Sequence, residues 1–205
     1  GVKAGIKKSG NLDVAVIYTK TQAVVAGTFT QNKVAAAPVY VSKEVVATGT
    51  AHAIVANAGC ANACTGQQGL DDAHKMAQIA ADELGVNADD VIVGSTGVIG
   101  VNLPMDKLEA GIKDAVANLS ADGSGNAGRA IITTDTHSKS VTCEFELSGK
   151  TVRMGAIAKG SGMIRPNMAT MLCYITTDIA IDQALLQKAV SGCVEKSFNM
   201  ISVDG

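Results

Sequence analysis

The chain has no tryptophan and only three Phe and three Tyr in 205 residues, so aromatic side chains make up 3%. Platforms that stack single-stranded nucleic acid are built from such rings, and their scarcity argues against that class. Lys and Arg number 17 against 19 Asp and Glu, the net charge is −2, and no basic block stands out. A polyanion partner is therefore not expected. The longest apolar runs fall far short of a membrane span. The opening Gly1-Val-Lys-Ala-Gly-Ile-Lys-Lys8 has no apolar core of the signal-peptide kind. His52, His74 and His137 lie in unrelated segments and pair with no nucleophile, so neither a histidine-based triad nor a zinc site has support. Cys60 and Cys64 have no second Cys or His pair at ligand spacing, which sets aside a metal or redox reading. Five cysteines, an odd number mostly in apolar surroundings, read as reduced thiols of a cytosol-like compartment.

Hydrophobic residues reach 47%, enough for a sizeable core of Ala, Val, Ile, Leu and Met. That composition points to a tightly packed α/β protein of one large domain or two small ones. Asp13–Tyr18 and Ala23–Phe29 read as strands around a turn at Lys20-Thr-Gln22, with a weaker strand at Val39–Ser42. Ala53–Ala56 and Val91–Val93 are short apolar strands. Each runs into a loop rich in Gly and small residues, 57–66 and 94–100. Helical periodicity covers 71–84, with Gly85 as its C-terminal cap, and a second helix opens at Pro104 and runs through Leu119. Ser120–Gly128 reads as a linker and Ala130–Thr134 as a strand. Val141–Leu147 and Thr151–Ile157 alternate around Ser148-Gly-Lys150 as a hairpin. A strand through Thr176, a helix capped by Asp182 with Leu185, Leu186, Ala189, Val190, Cys193 and Val194 on its apolar face, and a strand at Met200–Val203 complete the reading. No start methionine is present and the chain ends on a strand and a turn, which is expected of a piece of a longer precursor.

The segment Lys159-Gly-Ser-Gly-Met-Ile-Arg-Pro-Asn-Met-Ala-Thr170 carries the most chemistry. A small residue, Ala169, precedes a hydroxyl residue behind a glycine-rich turn, and an apolar run follows. A self-cleaving precursor needs this arrangement. The Thr170 hydroxyl attacks the carbonyl before it, and hydrolysis of the resulting ester leaves Thr170 as a new N-terminus whose amine can serve its own hydroxyl as base. Gly94-Ser-Thr-Gly97 can present N–H groups to an anion as an oxyanion hole around Thr96 and Gly97, or be an ordinary glycine-rich turn; the residues alone favour the turn. Lys159 can hold a carboxylate or be a solvated charge. Thr133, Thr134, Asp135 and Thr136 can bond a polar ligand or close an Asx-type turn.

These blocks resemble one family. Lys159–Ile164 with Pro166-Asn-Met-Ala-Thr-Met-Leu172 is similar to the cleavage and nucleophile motif of the ornithine acetyltransferases. These are also called bifunctional glutamate N-acetyltransferases, and they belong to arginine biosynthesis. Ala4–Gly10, Asn57–Gly66 and Gly94–Gly100 agree in the family's order. The resemblance implies a layered mixed-sheet α/β sandwich flanked by helices, of autoprocessed N-terminal-nucleophile-like architecture. It implies cleavage between Ala169 and Thr170, which splits the chain into an N-terminal piece, 1–169, and the truncated start of a second, 170–205.

By the same resemblance Thr170 is the nucleophile, Thr96 and Gly97 form the oxyanion hole, and Thr133, Lys159 and Thr170 contact substrate. The implied reaction moves acetyl from N-acetylornithine to glutamate through an acetyl-threonine, with acetyl-CoA as an alternative donor in some members. Neither metal nor cofactor is implied. The expected partners are the small substrates and the chain's own C-terminal piece, with which it would form a hetero-oligomer in the cytoplasm. Family members continue past this end with an acidic residue and further polar residues of the pocket. Two alternatives stay open: an N-terminal-nucleophile amidohydrolase or aminopeptidase, which would pass the acyl group to water, and a non-catalytic fragment or binding module.

Overall fold

The structure, a computed structural model, describes residues 1–204; Gly205, the last residue of the second expected piece, lies outside them. Two three-stranded sheets organise the chain. The first holds β1 (Val14–Val24), β2 (Thr50–Cys60) and β3 (Val91–Val98), with β1 antiparallel and β3 parallel to the central β2. The second is fully antiparallel, in the order β4 (Lys139–Leu147), β5 (Lys150–Lys159), β6 (Leu172–Thr177). This is the expected α/β architecture with flanking helices, although only the first sheet is mixed.

Side chains of the first sheet divide by size, because successive residues of a strand face opposite sides. Val14, Val16, Val55 and Val93 pack into a large cluster with Met76, Leu108 and Ile112. These come from α2 (Gly66–Leu84) and α3 (Met105–Ala117), while α1 (Ala37–Thr48) adds Val41. Ala15 and Ala56 point the other way, against Ala127, Ala130 and Ile131 of α4 (Ser124–Ile131), with Ile157 of β5 and Tyr174 of β6. The layers are therefore helices, first sheet, then α4 and the second sheet. The last helix, α5 (Gln183–Glu195), is capped as expected: the Asp182 carboxylate accepts from the N–H groups of Ala184 and Leu185.

Several local expectations need correction. Lys20–Gln22 is no hairpin turn. It lies within the continuous β1, where the pairing with β2 slips between Tyr18 and Ala23, and β1 stops at Val24, short of the expected Phe29. Val39–Ser42 is helical although it is rich in β-branched and aromatic residues. Pro38 in the first turn, a left-handed Gly49 at the end and burial at Ala37, Val41 and Val45 decide for helix. Of the expected loops 57–66 and 94–100, the first part of each is strand, since β2 runs to Cys60 and β3 to Val98; 61–65 and 99–100 are loop as expected. The expected linker 120–128 and strand 130–134 give way to α4, whose Ala127, Gly128, Ala130 and Ile131 are buried. The apolar face expected of α5 is mostly open, with only Val194 buried. Met200–Val203 is no strand: Met200 ends a 3₁₀ turn that begins at Phe198, and Val203 makes one bridge, to Ile164.

Candidate active site

Thr96 lies near the end of β3, and Lys159 is the last residue of β5. Both are buried, and the Lys159 Nζ donates to Thr96 Oγ1 at 3.1 Å. The hydroxyl of Thr96 keeps its own proton free to donate, and the ammonium at its oxygen polarises that O–H toward stronger donation. Burial pulls the Lys159 pKa below its ordinary value; Asp135 opposes this and Lys139 adds to it. A buried ammonium with one hydrogen bond has two N–H groups left for an anion.

Asp135 joins this pair to the Thr133 loop. Its carboxylate accepts from the Gly160 N–H at 2.9 Å, from Lys139 Nζ at 2.5 Å and, more weakly, from the Thr133 N–H at 3.4 Å. Burial alone would raise its pKa, but the hydrogen bonds from Lys139, Gly160 and Thr133 and the Lys139 charge outweigh that and hold it low. The contact with Thr133 is the weakest of the three, and it runs back to the residue two before Asp135, so it is not the Asx-type turn expected, which would accept from two residues ahead. Thr133 is placed from behind as well, since Lys7 Nζ donates to the carbonyls of Leu12 and Ala130 at the end of α4. The backbone N–H groups of Ala4, Ile6 and Lys7 in turn wrap the buried Asp13 carboxylate. The block Ala4–Gly10, notable in the sequence only for its family likeness, is thus a buttress for the end of α4 and the Thr133 loop that follows it.

Gly97 is paired with Gly59 across the parallel β2–β3 ladder. Its φ is +133°, and a Cβ there would stand 2.4 Å from the carbonyl carbon of Gly59. Only glycine fits such an approach. Asn57 secures the same corner by accepting from Ser95 Oγ and donating to the Cys60 carbonyl. Cys60 is buried and its thiol points to the carbonyls of Val101 and Asn102, which makes it a packing residue.

Thr170 joins this group through the chain. Lys159 pairs with Leu172 across β5–β6, so Thr170 leaves the sheet two residues beyond the buried lysine, and it is exposed to solvent. The loop before it is strained. Among the described residues eight non-glycine residues have positive φ, and four of them are Met163, Asn167, Met168 and Thr170. For a β-branched residue this conformation is a true outlier, costing about 1–3 kcal/mol. Ala169 closes the loop by donating its N–H to the Arg165 carbonyl at 3.2 Å. The structure thus links Thr96, Lys159 and the Thr133 loop through Asp135, with Gly97 next to Thr96 in β3, and ties Thr170 to them only through the Lys159–Leu172 pairing. Asp135 and Lys139 were not singled out as a pair by sequence, because their other partner lies 25 residues away.

The chain is a layered α/β protein in which a buried lysine–threonine pair joins its two sheets. The sequence model of the ArgJ family matches residues 1–205, and the chain belongs to that family. It is 50% identical over its full length to the arginine biosynthesis bifunctional protein ArgJ of Symbiobacterium thermophilum, covering 52% of that protein. It is 49% identical to the glutamate N-acetyltransferase of Methanocaldococcus jannaschii, again covering 52% of it. The chain spans about half the length of the curated relatives it matches. Among solved structures it is similar to the argJ protein of Bacillus halodurans, with TM-score 0.77 and 42% identity over 82% of this chain and 88% of that one. A second likeness is to the ornithine acetyltransferase of Mycobacterium tuberculosis complexed with ornithine, with TM-score 0.73 and 37% identity over 84% and 90% of the two chains.

Proposed function

We propose that the chain is the self-cleaving front part of an acetyltransferase, cut between Ala169 and Thr170, that moves acetyl from N-acetylornithine to glutamate. The conformation of Thr170 carries this reading. In an L-residue the Cβ trails the main-chain carbonyl carbon by about 120° of torsion, so at an ordinary φ near −60° it stands opposite the preceding carbonyl carbon. At the observed φ of +61° it swings to the near side, toward the five-membered ring that attack by Oγ1 must form. The Thr170 oxygen bonds to the Ala169 carbonyl carbon, the C–N bond breaks, and the hydroxyl proton ends on the freed amine. Water then splits the ester, giving a carboxylate at Ala169 and restoring the Thr170 hydroxyl. β6 is paired with β5 along its length, which supports association of the two pieces after the cut.

The liberated α-amine, with a reference pKa of about 7.7–8.0, accepts the hydroxyl proton as Thr170 attacks the acetyl carbonyl. The Thr96 hydroxyl and the Gly97 N–H stabilise the oxyanion, and loss of one such donor costs about 3–4 kcal/mol of barrier. Ornithine departs, and the glutamate amine takes the acetyl from the threonine ester. Lys159 and the Thr133 loop hold the amino-acid carboxylate; the buried ammonium with donors to spare supports this. Thr170→Ala in the full-length protein is expected to give one uncleaved chain without acetyl transfer. Mixing wild-type protein with N-acetylornithine alone should add one acetyl mass to the piece beginning at Thr170. A label elsewhere, or a transfer rate that glutamate leaves unchanged, would overturn the proposal, the latter in favour of a hydrolase.

A further inference from the structure

The residues after α5 hold the loop before the scissile bond at three points. Asn199 Oδ1 accepts from the Asn167 N–H at 3.0 Å, Asp204 Oδ2 accepts from the Met163 N–H at 3.0 Å, and the Val203 N–H donates to the Ile164 carbonyl at 2.8 Å. Two of the loop residues so held, Met163 and Asn167, are themselves in the left-handed region. Packing does little of this, because a cleft of about 240 Å³ opens beside Asn167 and Met168, bounded by Phe29, Val194 and Asn199. The Asn199 amide is aimed from its other end, where Nδ2 donates to Glu195 Oε1 at 2.7 Å.

We propose that Asn199, oriented by Glu195, and Asp204 form a positioning clamp that imposes the left-handed path on residues 163–170 and so turns Thr170 toward its own upstream carbonyl. The clamp lies downstream of the bond to be cut, so the second piece prepares the cleavage that creates it. The proposal rests on the self-cleavage reading above and adds residues to it. Neither Asn199 nor Glu195 touches the reacting atoms; they act through the loop.

The test follows full-length precursor, refolded from denaturant, by intact mass over time. Asn199→Leu keeps the shape, removes the acceptor, and is expected to slow cleavage about tenfold at an unchanged unfolding midpoint. Asn199→Asp alone sets two carboxylates against each other and is expected to be slow as well. Adding Glu195→Gln restores the donor–acceptor pair in reverse and should bring the rate back to within about threefold of wild type. Should N199L fail to fold, Glu195→Leu at an exposed position carries the test, and it too must slow cleavage. Wild-type cleavage with unchanged rates in these variants overturns the clamp alone. A wild-type precursor that never cleaves overturns the processing reading and the clamp with it.

Discussion

Tyr174 offers a measurement of how closely the two sheets approach each other. Its hydroxyl oxygen is buried without a hydrogen-bond partner, and desolvation pushes the phenol pKa far up, so the group stays neutral. The hydroxyl lies directly over Gly94 of β3: a Cβ built there would stand 2.0 Å from the oxygen and 3.3 Å from the ring carbon that bears it. A buried polar group left unpaired costs about 1–3 kcal/mol. Tyr174→Phe removes that cost and leaves a void of one oxygen atom, worth less than about 1 kcal/mol in lost contacts. The expected net effect is stabilisation by about 1 kcal/mol, a rise in Tm of about 2–4 °C for a chain of this size. Gly94→Ala alone, with Tyr174 intact, drives a methyl into the hydroxyl and is expected to cost about 1–3 kcal/mol as overpacking. Combined with Tyr174→Phe, the same change meets only the ring carbon, and most of that penalty should vanish, giving a coupling of about 1–2 kcal/mol in a double-mutant cycle. Urea and thermal denaturation of the four proteins read these numbers. Loss of stability on Tyr174→Phe, or a Gly94→Ala penalty that Tyr174→Phe leaves untouched, would refute the placement of the ring on Gly94.

Two further predictions concern charge. Lys159 has its pKa lowered by burial, so the unfolded chain holds that proton more tightly. Stability should therefore rise as pH climbs from the folded value toward the free-lysine value of 10.5. Under the proposed function, in which the Lys159 ammonium holds the substrate carboxylate, binding should fail on the alkaline side before that point. Lys159→Arg is expected to shift the alkaline limb of a KM–pH profile upward; an unmoved limb would remove Lys159 from substrate binding. Asp135 has its pKa lowered, with the Lys139, Gly160 and Thr133 hydrogen bonds outweighing burial. Its contribution is present above the unfolded value of 3.8 and lost as pH falls through the folded value. Asp135→Asn should flatten that part of the acid-denaturation curve, which denaturant titration at several pH values detects.

The parts of the fold that the sequence made legible are those governed by local rules. The stripe at Ala73, Met76, Ala77 and Ala80 is fully inside, Gly85 takes the left-handed cap, and Ser148 and Gly149 both have the positive φ of a tight hairpin turn. At α4 the failure comes from tertiary packing overriding local preference, whereas at Val39–Ser42 a β-branched composition outvotes the local signals of Pro38 and Gly49. Ser124-Gly-Asn-Ala-Gly128 looks like a linker because its residues are small, yet small residues are what a helix wedged between two sheets requires; a Cβ on Gly128 would already touch Ile157 at 3.5 Å. The site divides the same way. Thr170 and its loop are contiguous and could be read from chemistry and family likeness. The Lys159–Thr96 bond spans 63 residues, the two Asn199 and Asp204 contacts 32 and 41, and no spacing rule reaches that far.

The inner face of the first sheet explains why the site forms where it does. Along β3, Gly94 and Thr96 point to the same side, since the side-chain period of a strand is two. Across the gap, Tyr174 pairs with Ile157 and Leu172 pairs with Lys159, again one period apart. The contact of Tyr174 with Gly94 and the bond of Lys159 to Thr96 are thus successive contacts of β3 with the second sheet, the first made from β6 and the second from β5. Ala15, Ala56 and Gly94 are small enough to let the second sheet come this near, while the valines of the opposite face fill the helical core. A larger side chain at Ala56 would push the sheets apart at the first contact, and the lysine would lose the threonine at the second. Spacing of the sheets, set by residues with no chemistry of their own, is therefore what brings the ammonium and the hydroxyl within 3.1 Å.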